Sequence, residues 1–187
     1  IDLRVRDYAT RDEATQMLDA GEVDVAIGLP PDDGGRILSV PLFQERFVCI
    51  LRRDHPAANR APGLERFLSL PHILVSPENE GLDVADAALA SKGLKRRVAL
   101  TIQHMASAPA LVAASDLMAT VLESVVQRSG CAEQLNISEF PLRLNPLPFV
   151  LNWHRRNDQH PAQRWFRSCL SGAFPHVWQR SEQVCAD

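Results

Sequence analysis

The most regular pattern of hydrophobic and polar positions lies near the start of the chain, between Thr10 and Gly28. An apolar stripe at helical spacing is formed there by Ala14, Met17 and Leu18. Thr10 and Glu13 have the spacing of a capping box, in which the Thr10 hydroxyl accepts from the Glu13 amide and the Glu13 carboxylate accepts from the Thr10 amide. Gly21 then supplies a left-handed stop. The pattern predicts a helix that begins after Thr10 and ends before Gly21.

Two apolar segments flank this predicted helix. Residues 1–6 alternate in the manner of a half-buried strand, and residues 23–27 form a short apolar strand that stops at Gly28. A strand, a crossover helix and a second strand predict parallel pairing. Units of this kind carry their functional loops at the carboxyl ends of the strands, which here are residues 7–11 and 28–31.

The same alternation continues along the rest of the chain. Strands are predicted at residues 47–51, 72–75, 98–102, 117–122 and 149–154, and helices at 64–70, 84–93, 108–114, 124–129 and 161–174. The last helix carries an apolar stripe of Ala162, Trp165, Phe166, Cys169 and Leu170. This order predicts an α/β protein with largely parallel sheets, in two lobes that the chain crosses near residues 72–76 and 147–150.

Composition narrows the possible partners. With 20 Lys and Arg against 23 Asp and Glu, the chain lacks the basic balance of a piece that grips DNA or RNA by itself. No apolar run approaches the roughly 20 residues that span a bilayer, and no signal peptide is visible. The cysteines at positions 49, 131, 169 and 185 are too scattered for a disulfide framework, and Cys49 is expected to be a buried structural thiol. We expect no membrane partner and a cytoplasmic location, in a chain that starts downstream of its natural N-terminus.

Catalytic and metal-binding motifs find little support in the sequence. It contains no nucleophile elbow, no zinc-protease motif, no P-loop and no dinucleotide-binding glycine motif. His154 and His160 flank a polar loop without the further ligands that a zinc site needs. Asp32 and Asp33 lie in a turn rich in Gly and Pro, where solvation is the expected role. We expect no enzyme, no cofactor and no metal.

Six short segments share their order and spacing with a known family. They read LDAGEVDVAIG (18–28), PLFQERFV (41–48), DHP (54–56), LVAASDLMATV (111–121), NWHRRN (152–157) and HPAQRWFR (160–167). Together they resemble the effector-binding domain of the LysR-type transcriptional regulators. The last segment resembles the branch that includes nodulation and aromatic-degradation regulators.

The resemblance implies an architecture. It consists of two Rossmann-like subdomains, similar to type 2 periplasmic binding proteins, with a small molecule in the cleft between them. Residues 1–72 and 149–187 would form subdomain I, and residues 73–148 would form subdomain II. The DNA-binding domain of the family, and the first strand and helix of its effector domain, match nothing in this chain.

Two pairs of candidate ligand contacts lie in subdomain I. Thr10 and Arg11 stand at a helix N-terminus, where amide groups and the helix dipole favour an anion. The alternative is that Thr10 is only a cap and Arg11 is solvated. Gly28 and Leu29 end a strand, where glycine allows a ligand to approach the backbone or serves only a turn.

Further candidates lie in subdomain II. In the resemblance, the loop of His104, Met105, Ala106 and Ser107 faces the cleft. The alternative is that Ser107 caps the next helix beside an exposed histidine. Ser76 either lines the hinge or only makes a turn. Leu122 stands where the family often has Pro, in a turn that lines the cleft.

The resemblance therefore implies an effector-sensing domain of a bacterial transcriptional regulator. The effector would be a small aromatic or carboxylic acid, and its binding would shift the populations of two arrangements. A homodimer is expected, or a tetramer in the full-length protein, with DNA bound only through the absent N-terminal domain. The alternative is a periplasmic-type solute-binding protein for a small organic anion, which would need a signal peptide.

Overall fold

A computed structural model describes residues 2–32, 35–58, 63–76 and 84–183, with side chains described as far as residue 174. The chain divides into two compact units. Unit 1 comprises residues 1–44 and 147–187, and unit 2 comprises residues 45–146. The predicted α/β architecture in two subdomains is confirmed.

The elements follow one another in nearly the predicted order. The helices are α1 (Arg11–Ala20), α2 (Leu64–Ser69), α3 (Val84–Ala90), α4 (Ala108–Ala113), α5 (Glu123–Gln127) and α6 (Pro161–Gln183). The strands are β1 (Ala26–Gly28), β2 (Ile37–Glu45), β3 (Phe47–Arg52), β4 (Pro71–Val75), β5 (Arg97–Ile102), β6 (Met118–Leu122), β7 (Leu135–Glu139) and β8 (Leu147–His154). Strands β2 and β7 were not predicted.

Helix α1 of unit 1 forms for the reasons read from its sequence. The Thr10 hydroxyl accepts the Glu13 amide at 3.0 Å, and Gly21 adopts a left-handed φ of 72°. The predicted apolar stripe of Ala14, Met17 and Leu18 is buried. The capping box differs in one bond, because the Glu13 carboxylate accepts from the Ala9 amide at 2.7 Å and not from that of Thr10.

The C-terminal end of α1 is held by an arginine from the far end of the chain. The Arg156 guanidinium donates to the carbonyl oxygens of Leu18 and Asp19, each at 2.6 Å. These carbonyls belong to the last turn of the helix, where backbone donors run out, and the Leu18 carbonyl also accepts the amide of the cap residue Gly21 at 3.2 Å. A cation at this end also interacts favourably with the helix dipole. Arg156 lies two residues beyond the end of β8, so the bonds fix α1 against the sheet of unit 1.

The predicted strand at residues 1–6 is wrong. Residues 2–7 are exposed and have no strand assignment, with Val5 at 91% exposure. A strand needs a neighbour for its backbone groups, and among the described residues none pairs with this segment. The predicted parallel pairing around α1 is wrong for the same reason, since β1 pairs antiparallel with β8, and β8 also neighbours β2.

Unit 2 is built on a sheet in the order β5-β4-β6-β3-β7. Strand β4 pairs parallel with β5 and β6, whereas β3 pairs antiparallel with β6 and β7. The expectation of largely parallel sheets is therefore wrong, and the sheet is mixed. Both faces are covered: Val48 and Ile50 pack in the cluster that includes residues of α4 and α5, and Cys49 and Leu51 pack in the one that includes residues of α2 and α3.

The first division between the units lies earlier than expected. The sequence placed it near residues 72–76, but the compact units divide between Gln44 and Glu45. The physical reason is the position of β3, which pairs with β6 and β7 and so belongs to the same sheet as β4. The second division, at Leu147, lies within the stretch that the pattern indicated.

The predicted apolar stripe of α6 is not a buried face. Trp165 is 53% exposed and Cys169 is exposed, whereas Arg167 is buried. The Arg167 guanidinium lies 4.5 Å from the centroid of the Trp153 ring and donates to the carbonyl of Asp158 at 2.7 Å. A charged side chain can be buried here because the ring and the carbonyl replace its hydration.

The cysteines agree with the structural interpretation as far as they are described. Cys49 is fully buried, and burial raises the pKa of its thiol to about 12. Cys131 and Cys169 are free thiols, and Cys185 lies outside the described residues. Within the described parts of the chain, no helix is both long and apolar enough to cross a membrane.

A histidine is fully buried in unit 2. His72 Nε2 lies 2.7 Å from the Phe67 carbonyl oxygen, which can only accept, so Nε2 carries the ring proton. Its Nδ1 has no hydrogen-bond partner among the described residues. Burial lowers the pKa of His72 to about 4, and the Arg96 cation contributes in the same direction, against the Phe67 carbonyl and Asp86.

We expect unit 2 to lose stability as the pH falls. The unfolded chain protonates His72 near pH 6.5 and the folded chain only near 4, so the stabilisation is present above 6.5 and is lost as the pH falls through 4. The loss is on the order of 3 kcal/mol. Urea unfolding followed by circular dichroism measures it, with His72→Gln flattening this pH dependence. An equal acid loss in His72→Gln would contradict the assignment to His72.

Substituting Arg156 tests the anchor of α1. Arg156→Met should destabilise unit 1 by about 1 to 2 kcal/mol, because two α1 carbonyls lose a charged donor. All three tryptophans of the sequence lie in unit 1, so urea unfolding followed by their fluorescence reports this unit. Arg155→Met is the matched control, since the Arg155 side chain shares neither bond. Equal destabilisation by both variants would count against the anchor.

Candidate functional site

A cavity of about 230 Å³ lies in unit 1, where α1 begins and β1 ends. Four of the predicted residues line it, namely Thr10, Arg11, Gly28 and Leu29. The structure therefore brings together the two loops that the sequence marked as strand ends. Further lining residues are Tyr8, Ala9, Ala14, Thr15, Leu18, Pro31, Ile37, Phe149 and Asn152.

The most buried polar side chain that lines this cavity is Asn152 of β8. Its side chain is 6% exposed, and its Nδ2 donates to the Leu29 carbonyl oxygen at 3.2 Å. That partner fixes the orientation of the amide, because a carbonyl oxygen accepts only from the nitrogen. The Oδ1 atom is buried and has no partner among the described residues. An acceptor of this kind costs about 1–3 kcal/mol unless a donor reaches it.

The charges at the cavity come from the first turn of α1 and the loop after β1. Arg11 is the only cationic side chain among the described lining residues, and it forms an ion pair with Asp32. The Arg11 side chain is therefore ion-paired and not simply solvated, and any other anion would compete with Asp32 for it. For the same reason, Asp32 is not only a solvated turn residue. Asp33 lies outside the described residues. The acidic Asp12 and Glu13 offset the positive end of the helix.

Gly28 is needed for a close contact within the protein. A Cβ at this position would collide with the Tyr8 hydroxyl, which donates to the Ile27 carbonyl at 2.6 Å. Burial raises the pKa of the Tyr8 phenol. The glycine at the end of β1 thus admits the Tyr8 ring, which itself forms part of the cavity wall.

The other predicted residues belong to unit 2 and lie at one edge of its sheet. Strands β4, β5 and β6 are parallel, so their carboxyl ends lie at the same edge of the sheet. Ser76 follows β4, His104 lies just after β5, and Leu122 is the last residue of β6. The Ser76 amide donates to the Ile102 carbonyl at 2.8 Å, which joins the ends of β4 and β5. This edge is the site that the rule for parallel strands predicts.

The loop after β5 makes a short turn against the end of β6. The Leu122 amide donates to the Met105 sulfur at 3.5 Å, so two predicted residues are in contact. Ala106 and Ser107 are exposed, as is His104. The alternative in which Ser107 caps α4 is wrong, because its side chain makes no capping bond and its backbone is already helical. The exposed histidine of that alternative is confirmed.

Sequence reasoning missed Asn152 and Tyr8. Asn152 stands between Leu151 and Trp153 in a predicted strand, and a polar residue in an apolar strand is the signal that could have identified it. Tyr8 carried no such signal, since its contact with Gly28 depends on the fold. In the described residues, no group of three or more His, Cys, Asp or Glu side chains could hold a metal ion.

Comparison with known proteins gives consistent results. The family model of the LysR substrate binding domain matches residues 1–175. The HTH-type transcriptional activator NagR of Ralstonia sp is 32% identical over 157 residues, which cover 84% of this chain and 52% of NagR. NahR of Pseudomonas putida, also an HTH-type transcriptional activator, is 29% identical over 161 residues, covering 85% of this chain and 53% of NahR.

A solved structure agrees with these relatives. The crystal structure of the probable transcriptional regulator PA0477 from Pseudomonas aeruginosa is similar to this chain with a TM-score of 0.75 and 30% identity. The similarity covers 84% of this chain and 52% of that one. This chain spans about half the length of the relatives it matches.

Replacing Gly28 should report on the packing of the cavity wall. In Gly28→Ala the new Cβ should push the Tyr8 hydroxyl away from Ile27, so the raised pKa of Tyr8 should fall back toward its ordinary value of 10. Tyr8 is the only tyrosine in the sequence, so alkaline titration of tyrosinate absorbance measures it alone. The stabilisation by the neutral phenol exists below pH 10 and is lost as the pH rises through the raised value, and this loss should shrink in the variant.

A glycine elsewhere in unit 1 provides the control. Gly172→Ala places its Cβ where no atom lies within 4 Å, so it should leave the pKa of Tyr8 unchanged. An unchanged titration in Gly28→Ala would mean that Tyr8 does not pack against residue 28.

Proposed function

Because this chain belongs to the family of LysR substrate-binding domains, we propose that it is the effector-sensing domain of a bacterial transcriptional regulator. The relatives reported above are transcriptional activators, which favours a regulator over a solute-binding protein. DNA would be bound by a helix-turn-helix segment outside this chain, and the acidic balance of the present piece fits that division. Such a protein would work in the cytoplasm as a homodimer, or a tetramer at full length, and would not be an enzyme.

We place the effector in the cavity of unit 1. The observation that carries this proposal is the Asn152 side chain, which lines the cavity and whose buried Oδ1 has no donor among the described residues. A ligand hydroxyl would supply that donor, and Arg11 would bind a carboxylate. Leu18, Ile37 and Phe149 provide apolar contact for a ring. The volume of about 230 Å³ lies below that of drug-sized sites, so the ligand is small.

The strand ends of unit 2 are proposed as a separate group of candidate ligand contacts. Ser76, Leu122 and the loop from His104 to Ser107 offer hydroxyl, imidazole and backbone groups at one edge of the sheet. Their role toward the effector stays a prediction. The effector would act by binding two arrangements of the protein with different affinity, since a ligand with equal affinity for both shifts neither.

A screen of related acids tests the proposal. Benzoate, the monohydroxybenzoates and benzamide are compared by thermal shift and then by calorimetry. At least one hydroxybenzoate should bind about 5- to 10-fold more tightly than benzoate, since its hydroxyl satisfies Asn152 Oδ1. Asn152→Ala should remove this preference for the hydroxyl. A general loss of packing would instead weaken benzoate and the hydroxybenzoates alike.

The cation contact is tested in the same way. Arg11→Gln should weaken every carboxylate by about 10-fold and leave benzamide unaffected. Arg4→Gln is the control, because Arg4 is exposed and does not line the cavity. If no acid in the panel binds, or if binding ignores Arg11 and Asn152, the effector does not bind in this cavity as a hydroxylated carboxylate.

A further inference from the structure

The Arg11 cation at the cavity already binds a carboxylate that the protein itself supplies. Asp32 pairs with the Arg11 guanidinium and lies one residue beyond Pro31, which is part of the cavity lining. Asp32 does not line the cavity, and its side chain is 79% exposed against 35% for Arg11. The pair therefore spans the boundary between the cavity and solvent.

We infer that Asp32 is a built-in competitor of the effector, whose carboxylate must displace Asp32 from Arg11 in order to bind. This inference rests on the proposed function and assigns to Asp32 a role that sets the affinity of the site. The exchange conserves charge, since one carboxylate leaves the guanidinium as another arrives. A ligand must therefore bring more than its carboxylate, and the buried Asn152 Oδ1 is where a hydroxyl adds the surplus.

The exposure of the pair makes the exchange feasible. An ion pair in which one partner is largely solvated changes an equilibrium constant by no more than about fivefold. Once released, the Asp32 carboxylate meets water, so displacement leaves no buried charge without a partner. A competitor of this strength lowers the affinity of the site for a carboxylate ligand but does not prevent its binding.

The two partners differ in how firmly their backbones are held. Arg11 is the first residue of α1, and its carbonyl accepts the Thr15 hydroxyl at 3.1 Å. The loop that carries Asp32 is held at Leu29, whose carbonyl accepts from Asn152 Nδ2 at 3.2 Å. Asp32 lies three residues further along with an exposed side chain, so its carboxylate can leave while Arg11 keeps its place.

Other carboxylates near the helix start are engaged differently. Glu13 accepts the Ala9 amide at 2.7 Å, which holds it to the backbone rather than to Arg11. Asp12 lies in the same first turn and is exposed. Asp32 is thus the carboxylate whose removal should change the competition for Arg11 most directly.

Asp32→Asn tests the exchange with benzoate and benzamide as probes. Calorimetry should show benzoate bound about two- to fivefold more tightly by the variant than by the unaltered chain, with benzamide unchanged. Benzoate affinity should also become more sensitive to salt, because its binding now adds a charge to Arg11 instead of exchanging one. Asp2→Asn removes the same charge at an exposed position that does not line the cavity, and should change neither probe.

The guanidinium itself gives a second readout. The side-chain NMR resonances of Arg11 should move in ligand-free Asp32→Asn and return on adding benzoate, while benzoate moves them little in the unaltered chain. Benzoate binding that appears only in Asp32→Asn would support the competitor role most strongly.

The negative outcomes separate the two claims. Equal benzoate affinity in both proteins, with binding still dependent on Arg11, overturns the competitor role and leaves the effector site standing. Failure of both proteins to bind benzoate and every monohydroxybenzoate overturns the carboxylate site as well.

Discussion

The position of helix α1 is the constraint on which unit 1 depends. Its first turn is closed by the Thr10 hydroxyl, and its last carbonyls are held by Arg156, which follows β8. Gly21 ends the helix with a left-handed φ of 72°, and a Cβ there would lie 3.2 Å from the Arg156 guanidinium. The cavity lies between the start of this helix and β8, the two elements that these bonds join.

Strand β8 combines structural and chemical roles in adjacent residues. Leu151 is fully buried and pairs with Ile27 of β1, whereas Asn152 pairs with Ala26 and lines the cavity. The Asn152 amide uses its donor to hold the loop after β1 and keeps its acceptor for another group. One amide thus fixes the loop that carries Asp32, and under the proposed function its acceptor would bind the ligand. The proposal therefore couples the position of this loop to ligand preference through one side chain.

The two units differ in how much their sequence patterns could reveal. In unit 2 the inner strands β3, β4 and β6 are buried on both faces, so continuous apolar runs such as residues 47–51 were enough to predict these strands. The direction of β3 and its place beside β7 could not be read, because an apolar run has the same pattern in either direction. This is why the division at Gln44 was missed. In α6 the predicted apolar stripe was not the buried face. Arg167 is buried instead, because the Trp153 ring and the Asp158 carbonyl replace the hydration of its guanidinium.

The sequence by itself determined the local features of helix α1, namely the cap at Thr10 and the stop at Gly21. Each depends on residues only a few positions apart, so the local sequence was enough to predict it. It also marked Thr10, Arg11, Gly28 and Leu29, four of the residues that line the cavity. Only the tertiary structure decided that Asn152 is buried with an unmet acceptor, that Tyr8 fills the space above Gly28 and that Asp32 reaches Arg11. These contacts join residues 20 or more positions apart, and the physics that selects them is packing and desolvation, which no short pattern encodes.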